Sequence, residues 1–482
     1  MPARSADPDT VKPSQGRSRD EAGEEREPSS FRDPSGYLFW RRGELYRFVH
    51  PGYAENYRSW IASGLYDELA DAGLLVRHEE VEPEAVEARG AFRVLRPERI
   101  PFVSYPYEWS FGQLRDAALL TLEIQRRALR RGLWLKDASA YNVQFRGSRP
   151  IFIDSLSFEV YPEGRPWVAY QQFCRHFLAP LALMSHCDAD LGRLSRLHVD
   201  GIPVELAARL LPARTLLRPS LLIHLHAHAR LIRRHGADAD AAAAAKAKGS
   251  LRKAALEGLV ASLEGAVRGL SPDRRATEWA DYYAATNYSP GAHAHKQELV
   301  ATFVDRVSPD MVWDLGANTG LFARIPARRG RLTIAFDLDP AAVDRCYREC
   351  ATEPELPLTP LVMDLRNPST DLGWGGSERR SLAARGPADL VLALALLHHL
   401  AIGNNVPLEQ IAAYLARLGR HVVLKFPEKT DSQVRRLLAT REDVFPDYSR
   451  EGVERAFGKR FRTLESIQLA ESERRLYLLS AL

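Results

Sequence analysis

Three carboxylates and a glycine-bearing bend stand out as residues that could do chemistry together. In MVWDLGANTGLFARI a short apolar run (Met311, Val312, Trp313) delivers Asp314 into a turn flanked by Gly316 and Gly320, with Ala317, Asn318 and Thr319 between them. Glycine at such a turn permits a sharp bend and lets backbone approach a ligand closely. The apolar run RLTIAFDLDP ends in Asp337, 23 residues after Asp314. A carboxylate closing a second strand about 20 residues beyond the glycine turn is placed to accept hydrogen bonds from a ribose diol. Asp364 ends a third short strand in LTPLVMDLRNP, and ADLVLALALLHHL carries a fourth, Leu390 to Leu394, into His398 and His399.

The elements that must position these groups follow from periodicity. From Met311 onward, apolar strand-like runs alternate with helical stretches, closing with RHVVLKFP and its strand Val422 to Phe426. That alternation predicts a parallel α/β sheet, and such sheets bind ligands beyond the carboxyl ends of their strands. Asp339 precedes PAAVDRCYREC and competes for the ribose role, but is better placed to cap that helix.

The order D-x-G-x-x-x-G, strand-Asp, strand-Asp, then D-L-V-L-A followed by L-L-H-H-L resembles the successive motifs of class I, Rossmann-like, S-adenosylmethionine-dependent methyltransferases, over roughly Lys296 to Leu482. G-A-N-T-G lacks the G-x-G-x-x-G spacing that presents amides to a pyrophosphate. The resemblance implies S-adenosyl-L-methionine as cofactor. It implies that Asp314 and the backbone of Gly316, Ala317 and Asn318 hold the methionine part, with Gly320 closing the turn. Asp337 would take the ribose hydroxyls with Leu338 against adenine, and Asp364 would accept from the adenine amino group with Leu365 beside it. Ala393 would floor the site near the methyl group. His398 or His399 is the candidate base for an acceptor that keeps its proton near neutral pH; the alternative is a helix-starting or acceptor-shaping residue. The Asn/Asp-Pro-Pro-Tyr/Phe signature of amino-directed nucleic-acid methyltransferases is absent after the fourth strand, which favours a small-molecule acceptor.

A second constellation lies upstream. In WLKDASAYNVQFRGSRPIFIDSLSFE, Asp137 precedes Asn142 by five, and Asp154 follows 12 residues later. This pattern resembles a divergent protein-kinase-like fold from about Tyr37 to Asp200, which implies nucleotide or metal binding at Asp137, Asn142 and Asp154. The departures are large. GYLFWRRGELYRF has no G-x-G-x-x-G, Arg47 is the nearest cation on a candidate strand, and Ser155-Leu156 stand where kinases have Phe-Gly. The structural alternative is that Asp137 and Asn142 cap a turn and Asp154 ends a strand.

The 482 residues are enough for about three domains. Residues 1–34, rich in Pro, Ser, Gly and charge, read as a disordered tail; 35–200 as an α+β accessory domain; 201–290 as a helical connector with the Ala-rich insertion ADADAAAAAKAKGS; and 291–482 as the methyltransferase domain. GYLFWRRGELYRFVH predicts two strands about a turn at Arg42-Gly43; ENYRSWIASGLYDELADAG a helix stopped by Gly73; LLVRHEEVE and RIPFVSYPYEW further strands; and GQLRDAALLTLEIQRRALRRG a long helix. With 66 basic and 62 acidic residues the net charge is +4, which does not indicate a nucleic-acid partner. Cys174, Cys187, Cys346 and Cys350 form no C-x-x-C pair and read as reduced, half-buried thiols; His224, His226 and His228, two apart, read as packing or surface groups. No metal site, transmembrane run or signal core is expected, so the reading is a cytoplasmic enzyme. The rival readings are a scaffold that holds cofactor without chemistry, and a kinase-like nucleotide-binding enzyme with a regulatory C-terminal part.

Overall fold

The computed structural model describes residues 25–235, 252–272, 289–439 and 441–482. The Ala-rich insertion and residues 1–24 of the predicted tail lie outside the described residues. The chain forms two compact units: residues up to 58 with 77–99 and 371–380, and residues 59–76 with 100–370 and 381–482.

The first unit is a five-stranded antiparallel sheet of β1 (Glu25–Arg26), β2 (Gly36–Arg41), β3 (Glu44–Val49), β4 (His78–Val81) and β5 (Arg93–Pro97), in the order β1-β2-β3-β5-β4. Arg42 and Gly43 both take positive φ, 52° and 82°, as a two-residue hairpin requires. Tyr37 stacks on Phe48 at 4.8 Å in a core shared with Phe39 and Val94. Residues 25–34 of the expected tail are instead built into this unit. β1 pairs with β2, Arg26 lies over the Tyr37 ring, and Glu27 accepts from the Trp40 indole at 3.0 Å. Two further expectations are corrected. The single helix expected over ENYRSWIASGLYDELADAG breaks at Gly64 (φ 71°) into Ala54–Ala62 and Leu65–Asp71. RIPFVSYPYEW is not a strand: Pro101 and Pro106 deny it ladder donors, and β5 ends ahead of it at Pro97.

The second unit holds the long helix Phe111–Arg130, capped by Ser110 and Gln113 exchanging bonds with each other's backbone. Then come β6 (Leu133–Leu135), the hairpin β7 (Val143–Arg146) and β8 (Arg149–Phe152), and β9 (Phe158–Val160), which pairs with β6. Its largest element is a seven-stranded sheet of β10 (Met311–Leu315), β11 (Leu332–Asp337), β12 (Leu358–Val362), β13 (Ala388–Ala393), β14 (Gly419–Phe426), β15 (Phe461–Gln468) and β16 (Arg475–Ala481). The order is β12-β11-β10-β13-β14-β16-β15. The first five strands are parallel; β16 runs antiparallel to both its neighbours. This is a doubly wound, Rossmann-like sheet whose order reverses between β10 and β13, the switch point where such sheets open a ligand crevice. The helix Pro290–Val307 packs Leu299, Val300, Phe303 and Val304 on Val312, Leu390, Leu392 and Val423.

The 100–200 stretch packs into this same unit. The Gly112 amide donates to Asp344 Oδ1 at 2.7 Å, the Tyr347 hydroxyl to Asp116 at 2.9 Å, and Thr359 Oγ1 to the Gly147 carbonyl at 3.1 Å. Arg385 and Glu108 form a buried ion pair at 2.5 Å, each side chain at most 4% exposed. No helix among the described residues is long and apolar enough to cross a membrane.

Candidate functional site

The candidate residues gather where β10, β11 and β13 end. β10 carries Asp314 into the interior, 2% exposed. Burial pushes its carboxyl up to about 7, against the pull of the Lys296 ammonium, while the charge of Asp337 adds to the rise. Its Oδ2 is buried with no hydrogen-bond partner among the described residues. Lys296, itself buried, stands over the Phe322 ring at 4.0 Å.

The glycine bend then turns across the end of β11. The amides of Gly316 and Ala317 both donate to the Phe336 carbonyl at 2.9 Å, and the Asn318 amide donates to Asp337 Oδ2 at 2.7 Å. Gly316, Asn318 and Gly320 all have positive φ. A Cβ at 316 would enter open space, whereas one at 320 would lie 2.5 Å from Cys346 Sγ. Gly320 is therefore needed for packing and Gly316 for the bend itself.

Asp337 is half-buried at the last position of β11. Its Oδ1 takes the Asp339 amide at 2.9 Å, so each oxygen keeps a lone pair after its backbone bond. Burial raises its pKa, and those two amides draw it back. Asp339 caps the helix Pro340–Cys350 through the Ala341 amide at 2.8 Å, as its position predicts.

Asp364 departs from the expected geometry. β12 stops at Val362, and Asp364 lies two residues past it in a turn made by its own carboxylate. Asp364 Oδ1 accepts from the amide and Nε of Arg366 and Oδ2 from the same guanidinium, all at 2.9 Å. Burial would raise this carboxyl, but Arg366, with Arg193 near, holds it below the usual range. Leu338 and Leu365 are half-buried beside these acids, and Ala393 is fully buried at the end of β13.

His398 and His399 open the helix Leu397–Asn404, their rings 4.2 Å apart. Burial drives His398 well below its ordinary pKa, helped by His399, Lys425, Arg474 and Lys296; burial and Lys425 bring His399 to about 4. Both are neutral at pH 7. His398 Nδ1 is buried without a hydrogen-bond partner among the described residues. Lys425 is buried on β14, and Arg474 pairs with Asp431 at 2.5 Å. Sequence reasoning missed Lys296, Lys425 and Arg366. A lysine within an apolar helical face, HAHKQELVATFV, was the readable signal for the first.

Upstream, the β7–β8 hairpin brings Asp137, Asn142 and Asp154 together. The Ile153 amide donates to the Asn142 carbonyl at 2.8 Å, and Asn142 Nδ2 reaches Ser157, which donates to Asp154. Asp137 takes the Ser139 amide at 2.8 Å; burial raises its pKa, as does the Asp154 charge, against bonds from Ser139, Gln172 and Asn142. In the first unit Arg47 is ion-paired with Asp33. His224 bonds Tyr170 and Ser262, and His226 bonds Thr215. All four cysteines are free thiols; Cys174, Cys346 and Cys350 are buried more deeply than expected.

No family model matches the chain. Among solved structures it is similar to magnesium protoporphyrin IX methyltransferase (ChlM) from Synechocystis PCC 6803 (17% identity, 40% of this chain and 84% of that one, TM-score 0.30). It is also similar to the N-methyltransferase NodS from Bradyrhizobium japonicum WM9 (14%, 40% and 98%, TM-score 0.30). The match to WbdD (17%, TM-score 0.29) spans 38% of this chain and 39% of WbdD. A curated relative, nodulation protein NoeA of Rhizobium meliloti (strain 1021), is 36% identical over 456 residues, 94% of this chain and 95% of its own. On that extent of identity, the chain belongs to the NoeA family.

Proposed function

We propose that this chain is an S-adenosylmethionine-dependent methyltransferase acting on a small-molecule acceptor. The observation that carries the reading is the Asp337 carboxylate facing the glycine bend, bonded to the Asn318 amide at 2.7 Å at the end of β11. The residues present fit the cofactor: Asp314 Oδ2 is a buried acceptor awaiting a donor, and the space at Gly316 is open. Asp314 and the backbone of Gly316, Ala317 and Asn318 would hold the cationic amino-acid end. Asp337 would accept from the ribose hydroxyls through its remaining lone pairs, with Leu338 against the base. Because Arg366 occupies both Asp364 oxygens, Asp364 would serve the adenine edge with a spare lone pair or the chain beside Leu365. When bound, the cofactor supplies a methyl group on a sulfonium leaving group.

The chain's own work is alignment. Holding an acceptor in line over the Ala393 floor supplies much of the rate. His398 and His399, neutral at pH 7, present lone pairs that orient an acceptor N–H or O–H. Bases with pKa values this low take protons weakly at neutral pH, so orientation outweighs proton removal in their contribution. Titration of purified protein with S-adenosylmethionine is expected to give micromolar-range binding that Asp337→Ala largely abolishes. Equal binding by the variant would remove the site assignment. Transfer of labelled methyl to a panel of small acceptors then separates an enzyme from a scaffold.

A second reading is favoured by the Asp137–Asn142–Asp154 cluster: a divergent kinase-like site that binds nucleotide and Mg²⁺. It is tested by ATP–Mg²⁺ titration with Asp154→Ala.

A further inference from the structure

Chain from far upstream meets the turns that follow β11 and β12. The segment Ala189–Leu197 is one turn of 3-10 helix, Ala189–Arg193, running into Leu194–Leu197. It is started by Asp188, whose side chain accepts the Asp190 amide at 2.9 Å. It is pressed against the helix Ala179–His186: a Cβ at Gly192 would lie 2.9 Å from Met184 Sδ. From this fixed position two guanidiniums reach the ends of neighbouring strands. Arg193 donates to the Leu338 carbonyl at 2.5 Å while paired with Asp190 at 3.1 Å. Arg196 donates to the carbonyls of Asn367 and Pro368 at 3.2 and 3.1 Å.

These carbonyls belong to the two turns that would flank an adenine, one following Asp337 and the other following Asp364. A guanidinium presents its donors in a rigid planar fork, so it fixes a carbonyl in direction as well as in distance. The positive charge of Arg193 also helps hold the Asp364 carboxyl below its usual range. Sequence spacing gives no hint of this contact, which joins residues 145 apart.

We propose that Arg193 is a positioning residue for the cofactor, holding the Leu338 turn, with Arg196 holding the 367–368 turn, so that the segment Ala189–Leu197 forms the outer wall of the adenine subsite. The inference rests on the cofactor reading given above. It makes the upstream half of the chain part of the cofactor site instead of a separate module.

The test uses the full chain, Arg193→Gln and Arg193→Lys, with S-adenosylhomocysteine and adenosine as calorimetric probes. Loss of one charge-assisted hydrogen bond predicts about tenfold weaker binding of both ligands by Arg193→Gln. Arg193→Lys, which keeps the charge and loses the fork, is expected to recover part of that loss, and it carries the test alone if Arg193→Gln does not fold. The pH dependence of S-adenosylhomocysteine binding set by Asp314, at the other end of the ligand, is expected to be unchanged; a general loosening of the fold would move it. Variants that bind S-adenosylhomocysteine within twofold of wild type, or that lose it while keeping adenosine, overturn the proposal. Wild-type protein that binds neither ligand overturns the cofactor reading itself, and is recognised before any variant is made.

Discussion

Replacing Asp314 by Asn should stabilise the ligand-free protein at alkaline pH and weaken cofactor binding there. The carboxyl moves from an ordinary 3.8 to about 7 because it is buried. Between those two values the folded state holds a proton that the unfolded chain has released. The contribution of this carboxyl to stability is therefore fully present below 3.8 and is lost as pH rises through 7. At 1.36 kcal/mol per pH unit, the full loss above pH 7 is about 4 kcal/mol, of which roughly 2–3 falls between pH 5 and pH 8. Asp314→Asn removes this pH-dependent part. It keeps an acceptor for the Ala323 amide and adds a buried NH2 group that costs about 1–3 kcal/mol at every pH. Thermal melts of both proteins from pH 5 to 8 should therefore show the variant gaining on wild type by several degrees as pH rises. Calorimetric titration with S-adenosylmethionine should show the reverse. Wild-type affinity should fall as pH drops below 7, by up to about tenfold per unit, and the variant's affinity should be low and flat. A stability gap that is constant from pH 5 to 8 would refute the reasoning about Asp314.

Gly320→Ala places a methyl 2.5 Å from Cys346 Sγ at a φ of +80°, so a melt should show a loss of about 2–3 kcal/mol and cofactor binding should fall with it. Arg385→Met strands Glu108 in the core and is expected to cost about 3–5 kcal/mol by denaturant unfolding, with Glu108→Leu in the same chain recovering much of it. His399→Gln keeps a polar group without a titrating ring; once an acceptor is known, kcat should fall while its pH profile keeps its shape, and loss of the acid-side limb would instead show His399 acting as the base.

What the sequence made readable was the part built from local rules. Each parallel strand is an apolar run because both faces are buried, and β11 closes on a carboxylate at the carboxyl edge, where such sheets bind ligands. Asp314, the Gly316 bend and Asp337 could therefore be located by spacing alone, and Asp339 by its position ahead of a helix. Asp364 was expected to end its strand but lies two residues past β12, and its local turn with Arg366 hid the fact that its oxygens are already engaged. Long-range pairings left no signal: Glu108 with Arg385 across 277 residues, or Arg193 with Leu338. Likewise residues 371–380, inserted between β12 and β13, belong to the first unit. There Glu378 is buried and receives Arg32, with nothing in its neighbours to announce it. The Gly64 break was legible only as a glycine inside a helical pattern, and the strength of that pattern outweighed it.

The most direct measurement of the central claim is a crystal structure of the full chain grown with S-adenosylhomocysteine. Both ribose hydroxyls should lie within hydrogen-bond distance of the Asp337 carboxylate, with the ligand's amino group at Asp314 Oδ2. Ligand density elsewhere, or a ribose turned away from Asp337, would contradict it.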